Sequence, residues 1–320
     1  MKIFLLVVLS VLLNCNAFSQ PKLYNDPDSV KFVTSDINIF WNMYHHLKNA
    51  KSKVDSSNLI QTEYLDSGSI VLKDRMQEKS GITADSYFWG FRHFPKYLVS
   101  IEGSTKKIID YKPNVISDFK RLKAIYPEAV FPDFYFVIGD FNSGGTPLVH
   151  GMFIGAEITA GDTNSPLTEF DSFPSLRNGM RTVNYIGIYC SHEIIHWQQK
   201  GKPNSLLGAT ISEGAADFVG EKLSGGLSTA YQHNYGDKHQ KLLWQLFKKD
   251  IQNDDYSQWL YNGSNRKLTV PADMGYYIGY KICEAYYNKM ADKKKAIKDI
   301  IEVTDYSQFL KDSGYGQNFQ

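Results

Sequence analysis

Cysteine is scarce in this chain, with three in 320 residues, at positions 15, 190 and 283. So low a count excludes a small disulfide-built scaffold. Cys15 lies in a segment expected to be removed. That leaves Cys190 and Cys283, read as two buried free thiols, with a single bridge between them open in an oxidising compartment. A charge excess of either sign is also missing, since 35 Lys and Arg face 34 Asp and Glu for a net charge of +1. That balance, with no basic stripe, excludes nucleic acid as an expected partner. The one short like-charge run, Lys293-Lys294-Lys295, reads as the solvated opening of a helix. Beyond the N-terminus no hydrophobic run approaches the roughly twenty residues of a membrane span, and no internal repeat is present. What the chain does have is 42% hydrophobic and 14% aromatic residues, enough to bury a core at this length without staples.

The first nineteen residues follow the plan of an export signal: Lys2, an apolar run from Ile3 to Leu13, then Ala17-Phe18-Ser19 with small residues where a signal peptidase reads. Cleavage is expected after Ser19, giving a periplasmic or extracellular protein. Cys15 offers the alternative of a lipid-modified N-terminus, although Asn14 before it is bulkier and more polar than lipobox signals usually carry. Residues 20–320 read as a single domain, with a helical part at 20–128, a core at about 129–290 and C-terminal helices at 291–320.

Within that domain, Ile37, Phe40, Trp41, Tyr44 and Leu47 recur at the spacing of a helix with one buried face over 36–48, with Ser35 as N-cap. Phe134-Tyr135-Phe136-Val137-Ile138 predicts a buried strand, and 151–158 a second one. Asn142-Ser143-Gly144-Gly145 marks a turn between them, and 159–179 reads as a long loop. Helices are expected over 181–200, 211–223, 238–249 and 276–290. The predicted class is α+β, mainly helical, with a small mixed sheet preceding the 181–200 helix.

That helix carries His192-Glu193-Ile194-Ile195-His196. Residues four apart lie on one helix face, so the two imidazoles can aim at a single ion. Zinc accepts such ligands at about 2.0–2.1 Å and needs one more protein ligand. Glu193 sits about 100° round the helix, beside a metal-bound water rather than on the metal, the place of a general base. Gln199 and Lys202 stand where a metzincin needs glycine and histidine, which excludes that branch. Downstream, Glu213 can complete a His-His-Glu set, and Asp217 one turn later can accept the second ring N–H of a ligand histidine. His45, His46, His93, His150, His233 and His239 have no partner at ligand spacing.

With these residues the sequence resembles a gluzincin, the group of zinc metallopeptidases that includes thermolysin and the aminopeptidase-N-like enzymes, and most of all a bacterial family of predicted zinc-dependent proteases without an established substrate. Glu213-Gly214-Ala215-Ala216 resembles the Glu-Gly-x-Ala of the aminopeptidase branch, and Asp217 the supporting aspartate of the thermolysin branch. Gly155-Ala156-Glu157 is similar to, and one residue shorter than, the Gly-Ala-Met-Glu-Asn of aminopeptidases. Tyr276-Tyr277-Ile278-Gly279 is similar to their Tyr-Glu-Lys-Gly. The resemblance implies one zinc per chain on His192, His196 and Glu213, catalysis by Glu193 with Tyr276 stabilising the oxyanion, and substrate contacts from Gly155, Ala156 and Glu157. The expected function is hydrolysis of peptide or protein substrates by metal-activated water. The alternatives are a non-catalytic envelope protein that keeps a zincin fold for binding or structural integrity, and a zinc hydrolase of a non-peptide amide.

Overall fold

The computed structural model describes residues 21–78, 81–251, 254–263 and 267–319; the export signal and Cys15 lie outside them. Six short strands form two sheets among the described residues. β1 (Leu23–Tyr24) pairs antiparallel with β3 (Phe131–Pro132). β2 (Phe32–Val33), β4 (Phe134–Val137), β6 (Gly151–Gly155) and β5 (Gly145–Leu148) form the second sheet in that order. Its first three strands run parallel and β5 is antiparallel to β6. All five residues of β6 are buried, as an apolar run covered on both faces requires. β5 is the edge strand and carries Pro147, where a missing N–H leaves no ladder bond unmade.

Helices supply most of the remaining structure, which makes the fold α+β. The helix Ser35–His46 turns Ile37, Phe40, Trp41 and Met43 inward; its N-cap is Thr34 rather than Ser35, which is the first helical residue. Tyr64 and Tyr87, both buried, donate their hydroxyls to the Ile138 carbonyl at 2.8 and 2.6 Å. They fix the chain just past β4 and so position the loop that leads to β5. Buried apolar residues from Val30 to Tyr315 form one contiguous cluster that joins the N-terminal helices to the sheet and to the C-terminal helices. Cys190 and Cys283 are free and buried in it.

Several expected boundaries moved: the helices read from residues 211 and 238 begin at Leu206 and Ala230. The strand read over 151–158 ends at Gly155, and Ala156–Thr159 is a helical turn. There Thr159 Oγ1 donates to the Gly155 carbonyl at 3.0 Å. The helix read from Arg181 starts instead at Ile186, because residues 181–183 are held extended against the turn before them: Arg181 N donates to Ile158 O and Gly161 N to Arg181 O. The stretch 159–179 contains short helical turns at Leu167–Phe170 and Pro174–Gly179.

Three helices set the site. The motif helix Ile186–Gln198 packs on the helix Leu206–Ser224, which in turn packs on the helix Met274–Lys289. Leu206–Ser224 is buried over nearly its whole circumference, the signature of a central helix. Its crossing with Met274–Lys289 is backbone on backbone. A Cβ on Gly214 would lie 2.0 Å from the Gly279 carbonyl carbon, and one on Gly279 would lie 1.8 Å from the Thr210 oxygen. Only glycine fits both places. The C-terminal end of the motif helix is pinned by Gln198, whose amide exchanges bonds of 3.0 and 2.7 Å with the Val130 backbone. No described helix is long and apolar enough to cross a membrane.

Candidate metal centre

The packing of the motif helix on Leu206–Ser224 brings His192, His196 and Glu213 to one point. His192 Nε2 and His196 Nε2 are 3.0 Å apart, and Glu213 Oε2 lies 3.1 Å from the second and 3.5 Å from the first. Among the described residues this is the one group of three such side chains whose ligating atoms converge. A tetrahedral ion with bonds of about 2.0–2.1 Å keeps its ligand atoms roughly 3.3 Å apart, so these spacings fit a divalent ion.

The far side of each ring fixes which nitrogen carries hydrogen. His192 Nδ1 is 2.8 Å from Asp217 Oδ1, a carboxylate oxygen that only accepts. His196 Nδ1 is 3.0 Å from Gln199 Oε1. The orientation of that amide is set by its nitrogen, which donates to the Ser212 carbonyl at 2.7 Å, while Ser212 Oγ donates to Oε1. Both Nδ1 atoms are therefore donors, and in the neutral rings both Nε2 atoms present bare lone pairs. Two lone pairs and a carboxylate oxygen pointing at one spot repel unless a cation lies between them. That donor set suits a divalent ion.

The next layer is complete. Asp217 also accepts from Ser228 Oγ at 2.6 Å and from Thr229 Oγ1. Burial alone would raise the Asp217 and Glu213 carboxyls; His192 holds Asp217 below the ordinary range, and His196 with His192 holds Glu213 well below it. Burial alone would lower the two histidines, but the Asp217 bond, then Glu213, raises His192 well above its usual value, and Glu213 raises His196. Proton and metal thus compete for the same lone pairs. Tyr261 donates its hydroxyl to Glu213 Oε1. This occupies one carboxylate oxygen and leaves Oε2 for the histidines. Tyr261 has a left-handed backbone, φ 54°, and the chain beside it is clamped where Asp273 N donates to Asn262 Oδ1 at 2.8 Å.

The site lies in a cleft of about 1520 Å³ lined by β5, by the 172–179 segment and by residues near Tyr231 and Tyr261. Glu193 also lines it, and its carboxylate has no hydrogen-bond partner among the described residues. Gly145 lets β5 pass against it, since a Cβ there would lie 2.4 Å from Glu193 Oε1. Tyr276 lines the cleft with its ring stacked on His192 at 6.3 Å. Tyr277 turns away and donates to Asp237 at 3.0 Å.

Glu157 is not brought to the cleft. Its fully buried carboxylate accepts from Gly139 N at 2.6 Å and Phe141 N at 3.1 Å. It braces the loop in which Phe141 takes a left-handed φ of 65°. Gly155 and Ala156, the other expected substrate contacts, sit buried at the end of β6. Of the outlying histidines, His150 is held by Asp74 at 2.8 Å. Sequence reasoning missed Tyr261, Ser228 and Thr229. It used Gln199 only to exclude a ligand pattern, although its distance of three residues from His196 already allowed the contact.

No curated protein and no solved structure matches the chain. One family model does, over residues 25–317, and its description is gliding motility protein GldB, a lipoprotein family. This corrects the reading drawn from the gluzincin resemblance. A family of gliding motility proteins, rather than of zinc metallopeptidases, accounts for nearly the whole chain. The secreted peptide-cleaving hydrolase, with the hydrolase, protease and metalloprotease activities attached to it, is therefore withdrawn. A lipoprotein family belongs in the cell envelope, in agreement with the export expected from residues 1–19. With all but its ends covered by that single model, the chain belongs to the gliding motility protein GldB family.

Proposed function

We propose that this protein is a non-catalytic envelope component of the gliding apparatus, whose helical core is braced by one divalent ion, zinc by its donor set, on His192, His196 and Glu213. The observation that carries the reading is the convergence of two imidazole lone pairs and one carboxylate oxygen, each oriented from behind by Gln199, Asp217 or Tyr261. An ion held there cross-links the motif helix to Leu206–Ser224, and such a link contributes directly to folding stability. The open cleft above the site then serves to hold a segment of a protein partner. In this reading the export signal is cut before Cys15 rather than after Ser19, and the chain, tethered through a lipid at Cys15, needs no membrane-spanning helix of its own.

Complementation of a gliding bacterium that lacks the gene separates bracing from turnover. Glu193→Gln leaves the ligands in place and should restore gliding as the wild type does. His196→Ala removes a ligand and should fail, with reduced protein in the envelope. Loss of gliding in Glu193→Gln, with metal content and melting temperature intact, would contradict the reading. Cleavage of a peptide library by the metal-loaded protein would contradict it as well.

A further inference from the structure

Outside the cleft, a second depression of about 310 Å³ lies where the helices Lys112–Ile125, Leu206–Ser224, Met274–Lys289 and Lys293–Ile301 come together. Its floor is apolar, from Ile125, Leu223 and Ile297, and its rim carries Arg121, Lys222, Lys293 and Lys294 with no carboxylate among the lining residues. Three of these cations are fixed in place by carbonyls. Arg121 Nε donates to Leu223 O at 2.6 Å, Lys293 Nζ to Tyr287 O at 2.7 Å and Asn288 O at 3.3 Å, and Lys294 Nζ to Ala124 O at 3.1 Å. A carbonyl accepts a hydrogen without cancelling the charge, so each ammonium keeps at least one N–H donor for another acceptor. Lys222 makes no such bond and lies over the Tyr287 ring at 4.4 Å, while Lys293 lies over the same ring at 4.6 Å. Two ammonium groups gathered at one ring are like charges held near each other, and a bound anion would lower the cost of that arrangement. Arg121 alone meets a carboxylate, the largely buried Asp118.

The depression lies close to where the chain enters the fold. Lys120, the residue before Arg121, pairs with Asp28 at 2.8 Å. β1, at Leu23–Tyr24, pairs with β3, which begins soon after the helix bearing Arg121 ends. A tether at Cys15 reaches residue 21 within about 20 Å even when fully extended. A chain anchored there is held with this end toward the lipid surface.

From these features we infer that the basic depression is a headgroup site for an anionic phospholipid, the phosphate meeting Lys222, Lys293 and Lys294 and the glycerol edge resting on the apolar floor. The inference rests on the lipid tether proposed above for its orientation, and is independent of the metal. It also gives the Lys293-Lys294-Lys295 run a role that its sequence reading as a solvated helix opening did not contain.

The test is co-sedimentation of the purified full chain with vesicles of phosphatidylcholine alone and of phosphatidylcholine mixed with phosphatidylglycerol. The tether contributes equally to both, so the ratio of the two affinities reads the depression. The wild type should prefer the anionic vesicles, less so as salt is raised. Lys222→Gln should reduce that preference roughly fivefold, and Lys222→Gln/Lys294→Gln roughly 25-fold. Because Lys222 gives up only ring contacts and no carbonyl bond, its single variant should melt within about 2 °C of the wild type, which separates headgroup binding from helix capping. A Lys248→Gln/Lys249→Gln control on the helix Ala230–Asp250, whose residues do not line the depression, should keep the preference. The inference is overturned if the wild type shows no preference or if the control loses as much. It is also overturned if inorganic phosphate displaces the protein from anionic vesicles at micromolar concentration, which would make free phosphate the ligand. Metal content and the response to chelators are read separately, so failure here leaves the metal-braced core standing, and mass spectrometry for an acyl group tests the tether by itself.

Discussion

Tyr261 connects its loop to Glu213, a ligand of the proposed ion. Its hydroxyl takes Glu213 Oε1 and so fixes which carboxylate oxygen faces the histidines. Partners of metal ligands typically contribute 10–100-fold in affinity. Tyr261→Phe should therefore bind zinc roughly tenfold more weakly in competition with a chromophoric chelator, with circular dichroism unchanged. Equal affinity would show that Glu213 is positioned without it. Glu157 makes a second prediction. Burial pushes its carboxyl up to about 8, against the backbone N–H bonds from Gly139 and Phe141 that favour the ionised form. In the unfolded chain the group titrates near its ordinary value of about 4.3. Between those values the folded chain retains a proton that the unfolded chain has released, so this residue's contribution falls as pH rises through that window, by up to about 1.4 kcal/mol per unit. Glu157→Gln should flatten the pH dependence of unfolding over that window, as measured by denaturant titration at each pH; an unchanged slope would contradict the assignment. At this scale the sequence was readable where spacing on one helix sets geometry, which puts His192 with His196 on one helix and Glu213 with Asp217 on the next. It was silent where a loop far along the chain delivers the group, as for Tyr261, Ser228 and Thr229. A glutamate at the end of a strand does not reveal whether its carboxylate faces a cleft or, like Glu157, closes a buried loop.

Between elements, the crossing of Leu206–Ser224 with Met274–Lys289 governs the position of Glu213. Gly214 and Gly279 are explained by contact: each occupies a place where a Cβ would fall inside the other helix's backbone. Gly214→Ala gains about 1 kcal/mol of helix propensity. Overpacking against backbone that must move costs about 3 kcal/mol, so the cost wins. The variant should unfold at lower denaturant concentration and release zinc more readily; a stabilised Gly214→Ala would show that the helices part without penalty. Helix identity was legible from apolar periodicity, while boundaries were set by interactions that periodicity does not contain. The motif helix begins five residues later than its pattern suggests because Arg181 is paired in extended form with Ile158 and Gly161.

In the whole molecule, one apolar core joins the helices before the sheet to those after it, and the ligand set lies between the motif helix and the buried helix Leu206–Ser224. The α+β class followed from composition and periodicity. Activity did not: a His-His-Glu set supplies three ligands and leaves a fourth position open, while the family that matches the chain is described by gliding motility and not by hydrolysis. An ion that binds only the folded chain stabilises it by about 4 kcal/mol at a thousandfold excess over its dissociation constant. For a domain of this size that amounts to about 5 °C in Tm. The decisive measurement is thermal unfolding of the purified protein before chelation, after chelation and after zinc is restored. The account predicts one zinc per chain, a fall of about 5 °C or more on its removal and recovery on its return. An unchanged Tm in a protein shown to have lost its metal would contradict the metal-braced core.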